Sequence, residues 1–136
     1  VDVSIRPADS SGCVGIARLT RGDPTWCARP ISGDATYLIR EYDPFSHGIR
    51  HTARLELEPL QARLEVDGAT YTTGETQGVR ELVEQTWQLP SEVEESCRDG
   101  ALNVVEARRG ERWKVVLRYC RPAISIGRLT ELFRSG

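Results

Sequence analysis

The chain has 136 residues, 39% of them hydrophobic and 28% charged, with a formal net charge of −2. That length suits one domain, since two would each bury a marginal core, and the composition excludes a disordered chain, which needs low hydrophobicity and a large net charge. A nucleic-acid partner is disfavoured by the lack of a basic balance, and no apolar run approaches the roughly 20 residues of a membrane-spanning helix.

Alternating apolar residues at Val1, Val3 and Ile5 predict an opening strand, ended by Pro7 and the loop Ala8 to Gly12. Val1 to Arg6 lacks the basic-then-apolar order of a signal peptide, so any export signal is expected to have been removed already. A second strand runs through Val14, Ile16 and Leu19, followed by a turn-rich stretch from Arg21 to Gly33 that Pro24 and Pro30 interrupt. Ala35 to Tyr42 reads as a third strand. The loop Asp43 to Gly48 then presents Phe45 and His47 around Pro44.

The middle of the chain carries the clearest pattern. When His51–Glu58 is paired with Gln61–Asp67, Ala53, Leu55 and Leu57 meet Val66, Leu64 and Ala62 on one side. The other side matches Arg54 with Glu65 and Glu56 with Arg63. A slip of one residue would destroy both matches at once, so the register is specified twice. Asp67–Gly68 is a tight hairpin signal into Ala69–Thr73, placing Tyr71 beside Leu64 and completing a meander.

The period changes at Thr76–Leu89, where Val79, Leu82, Val83 and Trp87 share one helical face. Pro90 ends this helix, and Ser91 with Glu94 offers a capping box for a short second one ending near Cys97. Leu102–Ala107 and Arg112–Cys120 read as a hairpin around Arg109 and Gly110. In its second strand, Trp113, Val115, Leu117 and Tyr119 are expected to face the core, leaving Arg112, Lys114, Val116 and Arg118 outward. A last strand at Ile124–Ile126 leads into Arg128–Arg134, whose Leu129, Leu132 and Phe133 have the spacing of a docking helical turn or of a peptide for a partner groove.

These elements give an α+β fold: a mainly antiparallel sheet of meander and hairpins with one main helix packed on it, in a single domain covering residues 1–136. A β-sandwich with peripheral helices is the alternative. Cys13, Cys27, Cys97 and Cys120 lack the C-x-x-C or paired His/Cys spacing of a zinc site, which favours disulfide staples and an oxidising compartment, with no metal and no cofactor. Cys13 with Cys27 and Cys97 with Cys120 is the preferred connectivity among three. The only asparagine, Asn103, starts no glycosylation sequon, which favours a microbial over an animal secreted protein.

Charge is divided unevenly. Leu55–Cys97 holds ten acidic residues against Arg63 and Arg80, whereas Arg98–Arg121 is basic. Arg112, Lys114 and Arg118, two or four apart on one strand face, form a candidate strip for phosphate or an acidic partner protein. The competing expectation pairs the strip internally with the acidic helices.

Further candidates lie in the loops. Arg21, Gly22 and Asp23 resemble an integrin-binding tripeptide, although Pro24 restricts the backbone after the aspartate. With Trp26, Phe45 and Arg50 they complete the expected partner-binding residues. His47 and His51 are the only histidines; with Glu41 and Arg50 they supply the residue types of a general acid, a general base and a cation, as a secreted ribonuclease requires. No G-x-S-x-G and no phosphate-cradling glycine motif occurs.

In size, cysteine usage and lack of a catalytic signature, the chain resembles the small secreted effector proteins of plant-associated fungi. That resemblance of type implies a disulfide-stapled scaffold that acts outside or inside a host as a virulence factor by binding a host molecule, with loops giving specificity; the secreted chain is itself expected to be a monomer without a membrane span. A small secreted ribonuclease or related hydrolase and a protease inhibitor, with a rigid loop between Cys13 and Cys27, are the alternatives.

Overall fold

The central hairpin forms in the register that its charges and apolar residues dictate. In the computed structural model, which describes residues 35–43, 48–90, 102–109 and 112–135, β2 (Ile49–Leu57) and β3 (Ala62–Val66) pair antiparallel. Arg54 lies opposite Glu65, Leu55 opposite Leu64 and Glu56 opposite Arg63. Asp67 and Gly68 turn the chain with φ of 47° and 93°, the left-handed pair that a two-residue hairpin of this twist requires and that Asp-Gly adopts readily. β4 (Ala69–Thr73) follows and sets Tyr71 beside Leu64.

β1 (Ala35–Tyr42) precedes this meander and pairs with β2 on one side and with β5 (Leu102–Arg109) on the other. β6 (Arg112–Arg118) closes the order β4-β3-β2-β1-β5-β6, all antiparallel. Between the two halves runs α1 (Gln77–Glu84), continued by a 3₁₀ turn at Gln85–Trp87, and α2 (Ile126–Ser135) comes last. The described residues thus form a single α+β-like domain, with one six-stranded sheet and two short helices.

Both helices lie on one face. Tyr37, Ile39, Leu55, Leu64, Val105 and Val116 of the sheet meet Val79 and Val83 of α1 and Leu129 and Phe133 of α2 in the main core. Each such large side chain contributes roughly 1.5–3 kcal/mol by leaving water. Trp87 donates its indole N–H to the Tyr37 hydroxyl at 3.0 Å, which satisfies the polar end of an otherwise apolar contact.

Several expectations change. α2 starts at Ile126 and runs for ten residues, so the strand expected at Ile124–Ile126 does not form. The hydroxyl of Ser125 accepts the Arg128 N–H at the helix start, and Ile124 is buried beneath it. The single core face assigned to β6 is corrected: both faces of this strand are buried. Val115 and Leu117 pack with Tyr42 and Val104 on the side away from the helices, while Val116 joins the main core. Tyr119, expected inside, is 46% exposed because β6 ends at Arg118. The strands and the short helix expected before Ala35 and around Ser91–Cys97 lie outside the described residues, as do Cys13, Cys27 and Cys97.

Candidate functional site

The face away from the helices is divided in two. Across β1, β5 and β6 it is buried, taking in Thr36, Leu38, Arg40, Tyr42, Val104, Glu106, Arg108, Val115 and Leu117. Across β2, β3 and β4 the same face is open, where Arg54, Arg63, Glu65, Thr70 and Thr72 are exposed and Thr52 and Glu56 half-buried. Alternation along each strand places these polar residues together opposite the core-facing Ala53, Leu55 and Leu64.

On the open half, Arg54 is held to Glu56 at 2.8 Å. With Arg63 and Glu65 opposite them, these four side chains line a recess of about 190 Å³. Arg50 sits where the β1–β2 register shifts, between the Glu41–His51 and Tyr42–Ile49 pairs, and bonds Asp43 at 3.0 Å. The open half-face therefore carries Arg54 and Arg63 against Glu56 and Glu65.

The buried half contains charges too. Arg40 donates to Glu106 at 2.6 Å, with side chains 3% and 0% exposed. Arg40 stands opposite Val104 and Glu106 opposite Leu38, so the guanidinium reaches diagonally between β1 and β5. Arg108, next along that side of β5, has its guanidinium pushed below its ordinary value by burial, an effect that Glu106 partly offsets.

Two of the three cations of the basic strip are not on the surface. Lys114 is 4% and Arg118 7% exposed, a correction to their outward placement. Lys114 Nζ donates to the carbonyls of Trp87 and Leu89, and Arg118 to those of Leu117 and Pro90. The two side chains cap the carbonyl-rich end of the α1 and 3₁₀ segment, where unsatisfied oxygens and the helix dipole favour cations. The internal engagement expected of the strip therefore holds in kind for these two side chains, with main-chain carbonyls in place of acidic side chains. Arg112 begins β6 opposite Arg109.

At the far end of the meander, His51 stands opposite Glu41 across β1 and β2. Its Nδ1 lies 2.8 Å from Asp67 Oδ2, while Asp67 Oδ1 accepts the Thr52 N–H at 2.9 Å. These contacts hold the Asp67 carboxyl below its ordinary value, the Thr52 N–H first and the His51 side chain second. Sequence reasoning saw Asp67 only as a turn residue. Of the proposed acid–base set, the structure brings Glu41 and His51 together, engages Arg50 with Asp43, and leaves His47 outside the described residues.

A depressed folded-state value means that this carboxylate stabilises the hairpin fully above the ordinary carboxylate range of about pH 4, and that the contribution is lost as pH falls through the lower folded value. Stability measured across the acid limb should therefore fall less steeply in Asp67→Asn than in the parent. Asn tolerates the left-handed backbone at this position, so the turn itself is retained.

Arg21, Gly22, Asp23, Trp26 and Phe45 also lie outside the described residues. Among the described residues, no group of three or more His, Cys, Asp or Glu side chains is placed to hold a metal ion, and no helix is long and apolar enough to cross a membrane. Comparison with protein-family models, curated proteins and solved structures finds no match.

Proposed function

We propose that this chain is a secreted, disulfide-stapled binding protein of the microbial effector type, acting on a host molecule without catalysis. The observation that carries this reading is the open half-face of β2–β4. It is a charged platform on a sheet whose remaining part is buried, and Arg54 on it is already oriented by its ion pair with Glu56. Arginines fixed in this way lose little freedom on meeting a carboxylate, so an acidic protein surface suits the platform best. Staples and export are supported by the four cysteines and by the fact that no described cysteine is free.

A second reading, a ribonuclease using His51 with Glu41, is favoured by one observation: His51 is oriented through Nδ1 by a carboxylate, as a working acid–base histidine commonly is.

One experiment separates the two. The purified protein and its Arg54→Ala/Arg63→Ala variant are compared for capture of host proteins, and the wild type and His51→Ala are incubated with RNA. The double variant should bind its captured partner about tenfold more weakly while its stability shifts by no more than about 0.5 kcal/mol. Unchanged affinity would discard the platform. RNA cleavage that disappears in His51→Ala would overturn the non-catalytic reading in favour of the second.

A further inference from the structure

Among the described strands, β4 forms one edge of the sheet. Its sequence, Ala69-Thr70-Tyr71-Thr72-Thr73, holds no charge, no proline and no bulge, the usual devices that keep sheet edges from pairing. The two-residue turn at Asp67–Gly68 makes Val66 and Ala69 a hydrogen-bonded pair, so Ala69, Tyr71 and Thr73 direct their main-chain groups at β3. Thr70 and Thr72 consequently direct theirs outward. Among the described residues, no main-chain hydrogen bond reaches those outward groups, and both threonines are exposed.

We propose that two copies of this chain pair through β4, antiparallel and centred on Tyr71, making one continuous sheet. In that register Thr70 of each copy lies opposite Thr72 of the other, and each pair exchanges two N–H···O bonds. All four outward groups of each strand are then satisfied, whereas a shift of two residues leaves half of them unused. The two-fold axis passes beside Tyr71, which packs on the core from the helix-covered face, and this brings two tyrosines together as an aromatic cross-strand pair.

Charge agrees with this occupant. Arg63 flanks Thr72 and Glu65 flanks Thr70 within one chain, so each row across the joint starts at an arginine of one copy and ends at a glutamate of the other. An edge that is self-complementary under a two-fold axis fits a second copy better than a chain of arbitrary sequence. This dimer replaces the monomer expected from the sequence. It does not depend on the binding reading above, although it would join two open half-faces into one.

Sedimentation of the full chain over a range of concentrations tests the proposal. The wild type should show a monomer–dimer equilibrium. Thr70→Lys/Thr72→Lys sets like charges directly opposite in both pairs and should weaken the dimer at least about tenfold. Thr70→Lys/Thr72→Glu sets opposite charges there and should retain it; within each chain the same change faces Glu65 and Arg63 favourably, so the monomer stays folded. A wild type that is monomeric at every concentration overturns the proposal, as does a dimer that the two variants affect equally.

Discussion

Replacing Glu106 with alanine is expected to cost about 3–5 kcal/mol, the range for removing one partner of a buried ion pair. Two guanidiniums, Arg40 and Arg108, share this part of the buried half-face with it. Their desolvation persists when the carboxylate is gone, so the loss reflects charge left behind more than contact removed. Against a total of about 5–15 kcal/mol for a domain of this kind, the variant should be partly unfolded at ambient temperature. Denaturant titration measures the loss. The paired variant Arg40→Met/Glu106→Leu should recover part of it, because an apolar pair of similar volume restores packing and removes one stranded guanidinium, while Arg108 keeps its burial cost. If Glu106→Ala costs less than about 1 kcal/mol, the pair is exchanging with water and the half-face is not the dry layer described above.

Phe133→Ala is expected to destabilise by about 3–5 kcal/mol, as for other large aromatic truncations in a core. Phe133 and Leu129 reach the main cluster from α2, which makes the C-terminal helix part of the fold and answers whether "LTELF" serves as a detachable peptide. The control is Arg134→Ala, one residue further on and exposed, with an expected change within about 0.5 kcal/mol. Equal small effects for both would mean that α2 undocks readily, and the partner-groove reading would regain its ground.

Local patterns were legible and distant pairings were not. Arg54, Glu56, Arg63 and Glu65 specify the central hairpin by themselves, and the Asp-Gly turn carries that register on to Tyr71. The same register, extended by one pair, sets Thr52 against Asp67, so the carboxylate beside His51 was within reach of sequence reasoning although it went unseen. By contrast, the insertion of β5 beside β1 joins segments that the whole meander and α1 separate, and no local period encodes it. Glu106 and Arg40 thus gave no sign of each other.

The face of β6 was misjudged for a related reason. Aromatic and aliphatic residues at alternate positions suggested one buried side, but a strand covered on both faces has no outer side to assign. Lys114 and Arg118 consequently looked like surface cations, when the carbonyls that hold them lie between Trp87 and Pro90, in a segment distant along the chain.

One consequence of Lys114 concerns covalent chemistry. It is the only lysine in the sequence, and its amine is enclosed against two carbonyl oxygens. Acylating reagents, amine cross-linkers and enzymes that conjugate ubiquitin to lysine therefore find no accessible ε-amino target on these 136 residues. Wherever such enzymes are met, that leaves this stretch of chain without a ready attachment point for a degradation tag.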